Sequence, residues 1–332
     1  MTSSHPDSIG FIGVGEIAAA MVDGLCRQQD PPMIILSPRG ADISARLASA
    51  HPNVSVAADN SAVAEQSSTV VLPVRPDQVH EALSGLAFGP GTTLISAVAA
   101  TSITTLTGLV GDAVTITRSI PMPAVRHGSG VTAIHPDEPV TSSFYETLGT
   151  VVPVDSEDAF STLSVCSATV STMLGYLAEI GAWAGENDVE PEAVDAYLKG
   201  IFAGVGEEIA DPATGLDELA KGHETPGGLN EQLRTSWLTR QNRSALRTAL
   251  DAVRRRTTQG LTTQGLTTQG RGAERLYTDQ PWTPSDASPI RANPAPTHTR
   301  CAPSTTRTQK PSPAPPSRMS SPSSVRAAPS LP

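Results

Sequence analysis

The chain has 332 residues, 38% of them hydrophobic, enough for two domains and a real core, but from Thr257 onward it is rich in Ser, Thr, Pro, Arg and Gly with few large apolar residues. Residues 257–332 hold eight basic and three acidic side chains, so 15 of the 23 basic and 30 of the 33 acidic residues precede them, and so acidic a body excludes a nucleic-acid partner. Three widely spaced cysteines (Cys26, Cys166, Cys301) without metal-ligand pairing, no leader-like N-terminus and no apolar run of membrane length together predict a cytoplasmic protein with no metal and no membrane partner.

Ile9, Phe11 and Ile12 read as a short buried strand that breaks into Gly13-Val14-Gly15 and then Ala18, the G-x-G-x-x-A form of the dinucleotide fingerprint. Gly13 allows the tight turn, Gly15 lets the backbone approach a pyrophosphate, and Ala18 lets the helix pack close to the strand. The helix opens at Glu16 and Ile17, and its first amides point at the phosphates. Met33–Leu36 is the second strand. Past its end stand Ser37 and Arg39 rather than an acidic residue, which favours NADPH and leaves NADH possible; Arg39 as a plain solvated loop charge is the alternative.

Helices are expected over 43–50, 61–66, 79–86, 103–109 and 142–148, with strands over 54–56, 69–74, 93–96, 114–118, 131–134 and 151–154. The strand at 69–74 runs into Val74-Arg75-Pro76, and that at 93–96 into the small residues Ala97 to Ala100. Val74, Arg75, Pro76, Ala97 and Ala99 are therefore cofactor candidates at the carboxyl edge of the sheet. Such alternation predicts an α/β class with a Rossmann-like, doubly wound parallel sheet over residues 1–157. From Asp158 to Arg256 only helices are expected (159–184, 191–209, 216–221, 227–255), with the substrate in the cleft between the two parts. Ser164, Ser167 and Ser171 either line that cleft or pack a helix crossing. His127, His135 and His223 read as surface loop residues rather than proton donors. The 257–332 tail, opening with TTQGL repeats, reads as disordered or as an aberrantly extended C-terminus.

The series IGFIGVGEIAAAMVDGL, PVRPDQV, ISAVAATSI, RSIPMP, GSGVTAI and HETPGGLNEQ resembles the motifs of the pyrroline-5-carboxylate reductase family over residues 8–256. The resemblance implies NADPH-dependent reduction of a small cyclic imine to proline, and a helical domain that interlocks with a second copy in a homodimer or higher homo-oligomer. It also implies a substrate loop at Thr225-Pro226-Gly227-Gly228-Leu229-Asn230, where the amides of Gly228, Leu229 and Asn230 receive the substrate carboxylate and Thr225 and Asn230 stand nearest the chemistry. The physics of that turn is independent of the family, because a Pro-Gly-Gly helix start exposes unpaired N–H groups at the positive end of a helix.

Three departures from the family pattern bear on substrate choice. The usual R-x-M-P-N-T-P is Arg118 to Ala124 here, without the Asn and Thr; the small S-G-S-G-P-A-Y segment is replaced by Cys166 to Thr172; and Asn230 stands where a Thr is common. Two further readings stay open: another small carboxylated imine or keto substrate, or a nucleotide-binding protein without turnover.

Overall fold

The computed structural model describes residues 8–258, and all of them fall in one compact unit. The expectation for the tail lies outside these residues except at its first two positions, which continue the last helix.

Eight strands form one sheet: β1 (Ser8–Phe11), β2 (Met33–Leu36), β3 (Val54–Val56), β4 (Thr69–Leu72), β5 (Thr93–Ser96), β6 (Thr115–Ile120), β7 (Gly130–His135) and β8 (Gly149–Pro153). Their spatial order is β3-β2-β1-β4-β5-β6-β7-β8, so the chain reverses direction across the sheet between β1 and β4. In open α/β sheets ligands bind at such a switch point, outside the carboxyl ends of the strands. The apolar runs of β1, β4 and β5 have the composition of strands covered on both faces. One core cluster, with Phe11, Met21 and Ile134, and a second, with Ile12, Leu72 and Leu94, enclose them.

The helices joining the parallel strands are α1 (Glu16–Leu25), α2 (Ala41–Ala50), α3 (Asn60–Gln66), α4 (Val79–Leu83), α5 (Ile103–Val110) and α6 (Pro139–Glu146). Caps fix several of them. The Asp59 carboxylate accepts from the Ala62 amide, and the Ser102 hydroxyl from the Thr105 amide.

The sheet departs from the all-parallel expectation at one place: β7 runs antiparallel to β6, with Arg118 opposite His135. Only residues 121–129 separate the two strands, and a parallel return needs a crossover of a dozen residues or more. The chain turns back through a short 3₁₀ segment, Pro123–His127, instead. Helix α6 then makes a full crossover, and β7 and β8 are parallel again.

The helical part comprises α7 (Glu157–Ser167), α8 (Thr169–Gly185), α9 (Pro191–Ile209), α10 (Leu216–Gly222), α11 (Leu229–Trp237) and α12 (Arg240–Thr258). Two expected helices are each divided. The run 159–184 breaks at Ala168, and the run 227–255 breaks at Leu238-Thr239, with Gly227 and Gly228 outside the helix. Gly227 has φ +73°, a left-handed turn that suits glycine and halts any helix before it. Residues 157–185 (29 residues) contain an 18-residue window of mean hydropathy 1.3, which by length and composition alone meets the requirement for crossing a membrane. That segment is largely exposed in the single chain. So are large apolar side chains along α8 and α9, among them Leu174, Trp183 and Tyr197.

Candidate functional site

The fingerprint loop sits at the switch point. The Ile12 amide donates to the Val71 carbonyl (2.9 Å), Gly13 turns at φ +97°, and Gly15 caps α1 in an extended conformation. A side chain built at Gly15 would meet no protein atom within 4 Å, so the space over this glycine and the first amides of α1 is open to a ligand. Ala18 is fully buried against the sheet. These features fit a dinucleotide pyrophosphate. Glu16 and Ile17 form the first turn, and Val74, Arg75 and Pro76 follow β4 on the other side of the switch point.

Ser37 is placed differently from its role as a phosphate-facing hydroxyl. It is fully buried, and its Oγ accepts from the Gly13 amide at 2.9 Å, so it holds the fingerprint turn in shape. Arg39 stays at the surface, where its Nη1 meets Glu81 Oε1 at 2.9 Å; Arg75 similarly meets Asp77 at 3.3 Å. Any 2′-phosphate at the end of β2 would have to compete with Glu81 for Arg39. Arg39→Ala is therefore expected to weaken NADPH about tenfold and NADH less than twofold in a fluorescence titration, since one charge-assisted bond contributes about 1.5 kcal/mol. Equal losses for both cofactors would remove Arg39 from that role.

At the carboxyl edge of β5 and β6 lies a cavity of about 600 Å³. Ala97, Ala99 and Ile17 line it, with Arg118, Ser119 and residues 120–123 of the β6 end, Phe160, Ser164 and Ser167 of α7, and Val253, Arg256 and Thr257 of α12. Ala100, on its edge, has φ +53°, a left-handed conformation costing a residue with a Cβ roughly 1 kcal/mol. Ser171 is exposed and does not line the cavity.

Arg118 is the buried charge of this cavity. Its Nη1 donates to Glu157 Oε1 at 3.0 Å, and the guanidinium carbon lies 4.5 Å from the centre of the Phe160 ring. Burial draws its pKa below the ordinary value, against the opposing pull of Glu157. Its Nε is buried without a hydrogen-bond partner. Glu157 Oε1 also accepts from the Ile103 amide (3.0 Å), so one carboxylate joins β6, α5 and α7 beside the cavity. Ser119 Oγ lies 2.8 Å from Tyr145 Oη and 3.3 Å from the Ser96 carbonyl. Tyr145 is fully buried, and burial raises its phenol pKa.

The loop at 225–230 does not line this cavity within its own chain. Thr225, Pro226 and Gly227 are exposed, and Leu229 is 84% exposed. The Gly228 amide already donates to the Thr225 carbonyl (2.8 Å), and the Gly227 amide to Glu231 Oε2 (2.6 Å). Of the three amides named from the sequence, Leu229 and Asn230 remain, in the first turn of α11 where no intrahelical acceptor exists. The Asn230 side chain donates to the His223 carbonyl (2.7 Å), tying the loop together. His223 in turn faces Glu208 at 2.8 Å, and Glu224 is held by Arg234, whose hydrogen bond lowers the Glu224 pKa. Arg118 was legible as part of the RSIPMP motif but had no role assigned to it. Arg256 carries no signal in the sequence at all, because only the packing of α12 against α7 brings it to the cavity.

Residues 8–100 match the family described as NADP oxidoreductase, coenzyme F420-dependent. No curated protein matches the sequence. Among solved structures, the chain is similar to a pyrroline-5-carboxylate reductase from Coxiella burnetii (21% identity, TM-score 0.66, covering 77% of this chain and 98% of that one). It is also similar to 1-pyrroline-5-carboxylate reductase from Streptococcus pyogenes (20%, 0.62, covering 76% and 100%). A third is the Plasmodium falciparum pyrroline carboxylate reductase with NADP bound (15%, 0.61, covering 75% and 96%). Residues 8–100 are thus an NAD(P)-binding domain of oxidoreductase type, carried on a chain that has the fold of the pyrroline-5-carboxylate reductases.

Proposed function

We propose that this chain is an NADPH-dependent reductase of a small cyclic imine bearing a carboxylate, with 1-pyrroline-5-carboxylate reduced to L-proline as the reaction. The observation that carries the reading is the cavity at the end of β5 and β6: it begins at Ile17, the second residue of the fingerprint helix, and ends at guanidinium groups. NADPH would be held by the fingerprint loop and the first turn of α1, and when bound would supply the hydride.

The protein's own task is placement. Ala97, Ala99 and Ala100 leave room for a flat ring, while Phe160, Met122 and Pro121 wall the cavity against water. A protonated imine is already a good hydride acceptor, so no acid triad is required. Ser119 is held by Tyr145 and Ser96 and shapes the wall. A second copy of the chain covers the exposed faces of α8 and α9 and brings its own loop at 225–230 to this cavity, where the Leu229 and Asn230 amides meet the substrate carboxylate.

The test is turnover of 1-pyrroline-5-carboxylate by the purified full chain with NADPH. Absence of turnover alongside tight NADPH binding would leave a nucleotide-binding protein without this activity. Leu229→Pro refines the test. Leu229 is the first residue of α11, where proline is compatible with the helix, so the variant deletes one amide without distorting the turn. KM is expected to rise about tenfold, the loss of one charge-assisted bond, with NADPH affinity unchanged. Mixing this variant with one damaged in the fingerprint loop should restore activity if the loop is supplied by the second copy. An unchanged KM in Leu229→Pro would take the loop out of the site.

A further inference from the structure

We infer that Arg256, on the last turns of α12, is the anion anchor of the cavity and selects substrates that carry a carboxylate; this deepens the proposed imine reduction and rests on that reading for the identity of the ring. Among the described residues, Arg256 and Arg118 are the only charged side chains lining the cavity and no carboxylate lines it, in a chain with a formal net charge of −10. The two arginines differ in what they can offer. Arg118 is 5% exposed in its side chain and bound to Glu157, so its charge is balanced within the protein. Arg256 is exposed, and among the described residues it has no carboxylate within ion-pair distance.

Three of the four wall hydroxyls are engaged within the protein, and the fourth is that of Ser164. Ser119 pairs with Tyr145, Ser167 donates to the Ser164 carbonyl at 2.8 Å, and Thr257 donates to the Arg254 carbonyl at 2.8 Å. Among the described residues, the donors the wall leaves for a ligand are the Arg256 guanidinium and the Ser164 hydroxyl, whereas the unpartnered Nε of Arg118 is buried. A cationic group beside Arg256 is repelled and a neutral amide offers one acceptor oxygen without balancing the charge, whereas a carboxylate accepts from the guanidinium fork through two parallel bonds. Arg118 is the positioning residue of the pair, since Glu157 and the Phe160 ring hold it in place.

Isothermal titration of the NADPH-saturated full chain with cyclopentanecarboxylate, and with its neutral isostere cyclopentanecarboxamide, reads the contribution of the anion directly. The unaltered protein is expected to prefer the carboxylate by about tenfold or more. In Arg256→Ala that preference should fall about tenfold, to what the Leu229 and Asn230 amides of the second copy sustain, and Arg256→Lys should recover part of it, because an ammonium keeps the charge and loses the fork. Arg256 is exposed, so neither substitution threatens the fold. No preference in the unaltered protein, or a full preference retained in Arg256→Ala, overturns the inference. The measurement needs no turnover, which separates the two failures. An Arg256-dependent preference without reduction of the pyrroline overturns only the proposed function, and turnover with a preference indifferent to Arg256 overturns only the anchor.

Discussion

Gly13→Ala is expected to lower NADPH affinity by about two orders of magnitude. The new Cβ would stand 2.3 Å from Val74 Cγ1, on a backbone at φ +97°. A left-handed alanine costs roughly 1–2 kcal/mol and overpacking of this kind about 1–3 kcal/mol, so the loop escapes only by shifting away from its cofactor-binding shape. That shift would also break the bond from the Gly13 amide to Ser37 Oγ. Gly13→Ala combined with Val74→Ala should recover roughly half of the loss in free energy, because the clash is relieved and the dihedral strain is not. Gly15→Ala is the contrasting control. It meets no protein atom within 4 Å, so the melting temperature should hold while NADPH binding falls. The measurements are fluorescence titration of NADPH and thermal melting of each variant. Wild-type affinity in Gly13→Ala would mean that the phosphates do not approach this turn.

Glu157→Ala is expected to destabilise the fold by about 3 kcal/mol, read as a lower midpoint in urea unfolding. Removing the carboxylate leaves the Arg118 guanidinium buried without its counter-charge and orphans the Ile103 amide at the start of α5. Breaking a buried pair typically costs about 3–5 kcal/mol; the Glu157 side chain is 37% exposed, so water screens part of the loss and the lower end applies. Glu157→Gln keeps an oxygen for both donors and should cost about 1–2 kcal/mol. Equal stability of Glu157→Ala and the unaltered protein would show that Arg118 finds another partner.

The α/β class and the fingerprint turn were determined by the sequence alone. Both rest on local chemistry: period and apolar run length specify β1, β4 and β5, and Gly13, Gly15 and Ala18 are demanded within a few residues of one another. The short return between Ile120 and Gly130 was also visible as a segment, yet its outcome, an antiparallel β7, depends on which neighbour a strand finds and so was not. Side-chain roles divided in the same way. Ser37 and Arg39 were recognised by position, but that one faces inward to Gly13 and the other outward to Glu81 follows from contacts 24 and 42 residues away in the chain. Asn230 and Thr225 were named from a motif, and only the fold shows that their loop lies outside its own chain's cavity. The pairing of Arg118 with Glu157, and the arrival of Arg256 beside them, were decided wholly by tertiary structure. They join residues up to 138 positions apart through the packing of α7 and α12 on the sheet edge, and no spacing rule within a helix or strand encodes that distance.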